Sequence, residues 1–376
     1  MAFRLALVLA LALVSVIVFR PLATDAEEPV PAPSPLDVGP GLPAVGNAFA
    51  DRPEALALWQ GFKTRFVTPE GRVIDDANGN VSHSEGQGYA MLLAVAADDP
   101  ETFARVWAWT RSTLMIRPDG LAAWRWRPDA TPAIADTNNA SDGDLLIAWA
   151  LAEAGSAWGE SGYTRDARHI ATTLRREMIT KGASGALLLP GARGFAAADR
   201  PDGPVVNLSY WVFPAFRRLT VLLPDSDWGA VTTSGLALAA KARFGPADLP
   251  ADWIALGGDA PKPADGFSPV FSYDAIRVPL YLAWSGLGTR DLLAPFHALW
   301  QAGAAARPAV IDVASGRALT PMPDKGYQAI AAITACALEG TRFPDSLRTP
   351  DVELYYPTTL RLLAFLAIDQ RYPQCW

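Results

Sequence analysis

Helical periodicity runs through this sequence almost without interruption, and no other feature constrains the fold as tightly. Phe103, Val106, Trp107, Thr110 and Leu114 recur at three- and four-residue spacing, which places them on one face of a helix. Similar runs start near Asp144 (DLLIAWALAEAG), Thr164, Trp228, Asp291, Gly326 and Tyr355. Several end at Gly or at a connection containing Gly or Pro, where helices stop. Segments with β-type alternation are short, VVNLSYWV among them, and no series of βα units occurs. The pattern predicts about a dozen helices. It excludes a sandwich and a doubly wound sheet, and leaves an all-α toroid or bundle.

The 376 residues suffice for a large core and, by length alone, for more than one domain. The N-terminus, MAFRLALVLALALVSVIVF, carries one early Arg and then an apolar stretch of about fifteen residues. Its length fits a secretory signal over residues 1–26 better than a full membrane span. A retained anchor is the alternative, and either reading predicts export to the periplasm or the medium. Residues 27–47, which open EEPVPAPSPLDVGPG, are rich in Pro and Gly and poor in large apolar side chains. They predict an extended, disordered tether. No second break of this kind follows, so residues 48–376 are expected to form one domain, and the protein to be a monomer. Cys336 and Cys375, the two cysteines, could pair in an oxidising compartment.

The net charge of −7, with no basic stripe, argues against a nucleic-acid partner. There is no G-x-S-x-G elbow, no Cys with a matching His, and no Walker-type loop. His83, His169 and His297 together with the cysteines offer no zinc-ligand spacing, so no metal or cofactor is expected. The anomaly is tryptophan, with 13 copies. Exposed Trp and Tyr present flat amphipathic faces that suit sugar rings.

Three acidic sites stand in loop-to-helix contexts beside small, polar or aromatic residues. Glu85 lies in HSEGQGYAM, residues 83–91, just before an apolar run. Ser84 with Gln87, or Ser82 with Glu85, fits a capping box there, so Glu85 can be read as a first-turn carboxylate. Asp142 and Asp144 open the apolar run of NNASDGDLLIAWALAEAGSAW, where an N-cap Ser141 would itself favour first-turn acids. Asp274 lies in FSYDAIRVPLYLAW, three residues before Arg277, and the two could form an ion pair that locks a turn. Local roles leave the company of these acids unexplained: Trp124, Trp126, Tyr210, Trp211 and Tyr273 occupy segments of the same kind. Acids and aromatics converging on one groove would make a sugar-binding cleft with carboxylates at its floor. Glycosidic cleavage needs one protonated and one ionised carboxyl, held in environments that push their pKa values apart.

With these motifs on view, the sequence resembles the glycoside hydrolase family 8 enzymes, and among them the endoglucanases that accompany bacterial cellulose synthase. SEGQGYAM is similar to the family's general-acid motif, ASDGDLLIAWAL followed by EAGSAW to its signature, and SYDAIRVP to the segment with the catalytic base. NLSYWVFPAF is similar to a further family segment, with Leu208 where Pro is common. The resemblance implies an (α/α)6 barrel, six inner helices ringed by six outer ones, with a substrate groove across one end. It also implies an inverting endo-β-1,4-glucanase acting on cellulose chains, in service of cellulose secretion and with the cellulose synthase complex as a partner. Carried over by position, Glu85 is the general acid and Asp274 the base that activates water. Asp142 would bind and distort the sugar, Tyr210 would steady the water or the base, and Arg277 would join the substrate-binding set. Trp124 and Trp126 would stack on glucose rings; Asp144 stays ambiguous between a supporting role and a cap. Inversion requires the two carboxyls to lie roughly 6.5–9.5 Å apart. Two alternatives remain at this point: the same mechanism on xylan, chitosan or mixed-linkage glucan, and a non-catalytic glucan-binding subunit that has kept the groove.

Overall fold

Eleven α-helices form among the residues described by the computed structural model, which are 42–376 apart from 184, 225 and 302–307. They are α1 (Pro53–Phe66), α2 (Ser84–Ala96), α3 (Pro100–Thr113), α4 (Ser141–Ala157), α5 (Ser161–Met178), α6 (Phe213–Leu222), α7 (Trp228–Lys241), α8 (Arg277–Ser285), α9 (Arg290–Gln301), α10 (Lys325–Glu339) and α11 (Tyr355–Arg371). The expected signal and most of the expected tether lie outside the described residues.

Two kinds of helix alternate along the chain, and their composition decides their place. α2, α4, α8 and α11 are apolar nearly all round and are buried along almost their whole length. Such helices can only line an interior. α3 and α5 are amphipathic: α3 buries Phe103, Val106, Trp107 and Thr110, the face that the spacing predicts, and leaves Arg111 exposed. Packing follows. α2 lies on α4, α4 on α6, α6 on α8, α8 on α10, α10 on α11, and α11 closes the ring on α2. Outside this ring α3 backs α2, α5 backs α4, α7 backs α6, α9 backs α8 and α10, and α1 backs α11. The architecture is the expected all-α (α/α)6 barrel. Where a sixth outer helix would fall, between α10 and α11, the chain instead makes a single 3₁₀ turn, Asp345–Leu347. Pro344 and Pro350 flank that turn, and each removes a backbone donor and biases the residue before it away from helix.

Strands are short antiparallel pairings in the connections. Ser82–His83 pairs with Arg125–Trp126, and Val270–Phe271 joins Ala309–Asp312 and Ala318–Pro321 in a three-stranded sheet. The alternating segment VVNLSYWV is strand only at Val205–Val206. Asn207 then caps a 3₁₀ turn, Leu208–Tyr210, by accepting from the Ser209 amide at 3.0 Å.

The tether expected over 27–47 ends sooner than its composition predicts. Residues 42–47 belong to the barrel: Val45 is buried, its amide donates to Glu153 Oε2, and Asn47 N–H donates to Val95 O. Small residues such as Ala44 and Gly46 read as linker but also let the chain lie close against a helix; a Cβ on Gly46 would stand 2.9 Å from Ala157 Cβ. Cys336 on α10 and Cys375 in the C-terminal 3₁₀ turn form a disulfide. None of the helices among the described residues is long and apolar enough to cross a membrane.

Candidate active site

The N-terminal ends of the inner helices meet at one end of the barrel, around a cleft of about 550 Å³. Glu85 enters it from α2, Asp142 from α4, Arg277 from α8, Tyr327 from α10 and Tyr356 from α11, while Asp274 and Tyr210 come from the turns before α8 and α6. Three acids separated widely along the chain are thereby gathered at one place.

Local contacts explain how each is presented. α2 is capped neither by Ser84 nor by Ser82, contrary to the capping-box reading. His83 is the N-cap, and its Nδ1 accepts from the Gly86 amide at 3.0 Å. Ser82 is drawn to Val73 O at 2.5 Å, and Gln87 accepts from Val73 N–H at 2.7 Å while donating to Thr110 Oγ1 at 2.8 Å. These side chains fasten the loop before α2 and leave Glu85 free to face the cleft. On α4 the cap position is Ala140, not Ser141, and Asp142 Oδ1 accepts from the amide of Gly143 at 2.8 Å. Asp144 points elsewhere: it accepts from Ala122 N–H at 2.8 Å and Asn139 Nδ2 at 3.0 Å, which fixes the connection into α4. It is not among the residues lining the cleft.

Arg277 is the hub. It is buried, and its Nη1 contacts Glu85 Oε1 and lies 3.5 Å from Asp142 Oδ2. Its Nη2 donates to Asp274 Oδ1 at 2.9 Å and to Ser209 Oγ at 2.8 Å. One guanidinium therefore stands between Glu85 and Asp274 and touches all three acids. The expected Asp274–Arg277 ion pair is present, but as one arm of this larger arrangement. The Tyr210 ring lies 6.0 Å from the guanidinium carbon.

Burial raises two of the acids. Burial pushes the Asp142 carboxyl well above the carboxylate range, and the nearby Asp274 and Asp144 charges add to this against the pull of the Gly143 amide. Asp274 is pushed up to about 7, by burial first and then by the Asp252 charge, with Asn207 opposing from 3.0 Å. It keeps 32 % of its side-chain surface open to the cleft, so solvent tempers that shift. Burial, followed by Asp142 and Asp274, raises the Tyr210 phenol, which stays a neutral hydroxyl at neutral pH.

Trp124 lines the cleft, with its indole N–H donating to Asp136 Oδ2 at 2.8 Å. Trp126 does not. Its ring packs edge-on against Trp109 at 6.1 Å and under the Arg72 guanidinium at 4.9 Å. Three tyrosines also line the cleft: Tyr273 and Tyr356 flank Tyr327 at 5.9 and 6.2 Å, and the Tyr356 hydroxyl donates to Tyr273 O. The sequence marked a helix start near Tyr355 without assigning Tyr356 to a site. Tyr89 was likewise unread. It lies one turn after Glu85, donates to Glu85 Oε1 at 3.1 Å, and is bonded behind to the Tyr281 hydroxyl at 2.6 Å.

Carboxyls gathered around one arginine in an aromatic cleft at the mouth of a helical barrel are the groups a glycoside hydrolase needs. Comparison with known proteins agrees. The family model described as glycosyl hydrolases family 8 matches residues 44–370, and the chain belongs to that family. A "Probable endoglucanase" of Novacetimonas hansenii is 39 % identical over 85 % of this chain and 93 % of its own length. The endo-β-1,4-glucanase CMCax of Acetobacter xylinum superposes with a TM-score of 0.77 at 38 % identity, covering 85 % of this chain and 99 % of that one. A family 8 endoglucanase from Klebsiella pneumoniae gives a TM-score of 0.76 at 40 % identity, covering 84 % and 99 %.

Proposed function

We propose that the protein is an inverting endo-β-1,4-glucanase in which Glu85 protonates the leaving oxygen and Asp274 activates the attacking water. The observation that carries this reading is Arg277 spanning Glu85 and Asp274 in a single cleft. One guanidinium contacting both carboxyls fixes the two acids at the same cleft, where a glycosidic linkage can reach both. Both Asp274 oxygens are directed, one by Asn207 and one by Arg277, so the base has a fixed orientation toward the cleft.

Three carboxyls around one guanidinium do not all ionise together, because like charges in a desolvated site hold protons back. The cluster thus keeps a proton at neutral pH. For Glu85 to donate it, the guanidinium must lean on Asp142 and Asp274 when the linkage is seated, and contacts to both acids already exist. Asp142 then grips the sugar beside the broken bond, and the neutral Tyr210 hydroxyl donates to the water or to Asp274. Trp124 and the Tyr273, Tyr327 and Tyr356 group supply flat faces for successive glucose rings.

The apolar N-terminal stretch supports export, and a Cys336–Cys375 disulfide suits an oxidising compartment. We infer a role in cellulose secretion at the periplasmic side. The test is direct. Protein lacking residues 1–26 should lower the viscosity of a soluble cellulose derivative. Glu85→Gln and Asp274→Asn should each reduce the rate by at least about 10²-fold with helical circular dichroism intact. Wild-type rates in either variant refute the assignment. Retardation in a gel containing the derivative, without new reducing ends from the wild type, would instead indicate a binding subunit.

A further inference from the structure

Asp252 sits outside the cleft and outside every motif that the sequence analysis singled out, yet it is a buried carboxylate with all its bonding directed at one turn. Its Oδ1 accepts from Ser272 N–H at 2.9 Å and from Ala275 N–H at 2.9 Å, and its Oδ2 accepts from the Ser272 hydroxyl. Its own amide donates to Val270 O at 2.8 Å. The turn so clamped, residues 272–275, is the one that carries Asp274. Two backbone donors on a single carboxylate oxygen fix where that turn leaves the strand Val270–Phe271 and where α8 begins.

From this geometry we infer that Asp252 is a positioning residue for the hydrolytic reaction: its clamp on Ser272 and Ala275 aims Asp274 at the cleft. The inference rests on the proposed role of Asp274 as base. It has a second consequence. Burial pushes the Asp252 carboxyl up, with the Ser272 hydroxyl and the Ala275 and Ser272 amides opposing, and once ionised it places a negative charge behind Asp274. That charge makes Asp274 hold its proton more tightly and makes it a stronger base once ionised. The other groups facing Asp274 are Arg277 on α8, Tyr210 before α6, Asp142 on α4 and Tyr356 on α11, with Glu85 reached through Arg277. None of these groups is replaced when Asp252 is changed, so a moved titration of Asp274 traces to the lost charge or to the re-aimed turn.

The experiment compares pH profiles of kcat/KM on a soluble cellulose derivative for protein lacking residues 1–26. Asp252→Asn retains a carbonyl oxygen for the two amides and removes the charge. It should move the acidic limb to lower pH by roughly one unit. Ser272→Ala removes one donor from Asp252, makes its ionisation harder, and should move the limb the same way by less. It serves if Asp252→Asn does not fold. Asp274→Asn is the control. If it keeps wild-type activity, the proposed base is wrong. If it is inactive and the limb stays in place in the folded variants, Asp252 has no such role and the inference falls.

Discussion

Gly143 on α4 rests against Ser84 on α2 with no space for a methyl group between them. A Cβ at Gly143 would lie 2.1 Å from Ser84 Oγ and 2.7 Å from the Glu85 backbone nitrogen. One turn further along α2 the relation is repeated in reverse, where a Cβ on Gly88 would meet Leu146 Cβ at 2.6 Å. Two glycines thus let α2 and α4 approach closely where Glu85 and Asp142 begin them. Gly143→Ala should force the helix ends apart. Overpacking of this kind costs about 1–3 kcal/mol, read as a lower melting temperature. The larger effect should be on kcat, since displacing an acid by an ångström can cost about 10²-fold. A variant that melts early but turns over normally would mean that this crossing does not set the position of Glu85.

The raised pKa of Asp274 makes a prediction about activity. A base works ionised, so kcat/KM should fall as acid protonates Asp274 in the free enzyme. Its value of about 7, tempered by its partial exposure, puts the midpoint of the acidic limb above the ordinary carboxylate range and no higher than about 7. An ordinary carboxylate would put it near 4. A midpoint that low in a rate–pH profile would remove the desolvated Asp274 from the role of base.

The three acids were legible because each stands at a loop-to-helix junction beside small, polar or aromatic residues, a pattern that survives without tertiary information. What was lost is what neighbours in space decide. Ser82 and Gln87 look like capping residues in isolation, but Val73 and Thr110, brought alongside by folding, recruit their side chains, and His83 caps instead. Trp124 and Trp126 look equivalent in AWRW, yet Trp109 and Arg72 claim only the second. Asp252 was silent because its partners begin twenty residues on, beyond any local pattern. The barrel itself was readable from apolar periodicity, except between α10 and α11, where two prolines replace a helix with an extended path.

Asp144 links burial to the pH dependence of stability. Burial pushes its carboxyl up to about 7 against the pull of the Ala122 amide and Asn139. In the unfolded chain it should titrate near 3.9. The folded state therefore binds more protons between those values, and stability contributed by this group is full below about 4 and is lost as pH rises through about 7. Asp144→Asn cannot ionise, so the melting-temperature gap between wild type and variant should narrow from pH 5 to pH 8. Calorimetric scans across that range check it. A gap independent of pH would show that Asp144 keeps the same charge throughout.

Residues 42–47 close the end of the barrel away from the cleft, and their removal should separate stability from chemistry. Val45 N–H donates to Glu153 Oε2 at 3.2 Å, Asn47 N–H to Val95 O at 3.1 Å, and Gln370 Nε2 donates to Pro43 O at 2.7 Å. Glu153 lies near the C-terminal end of α4 and Gln370 near that of α11, opposite the helix ends that carry the acids. Burial already pushes the Glu153 carboxyl up, with Arg218 opposing. Stripping the segment leaves that carboxyl one donor short and uncovers the apolar site of Val45. Against a chain beginning at residue 42, a chain beginning at residue 48 should melt several degrees lower. A loss of about 1–3 kcal/mol is expected from the burial of Val45 and its backbone bonds. Because no contact at the cleft changes, kcat below the melting transition should stay within about twofold of the longer chain. Equal melting temperatures would mean that the segment only lies on the barrel; a collapse of kcat with folding intact would mean that strain at this end reaches the acids through α4 and α11.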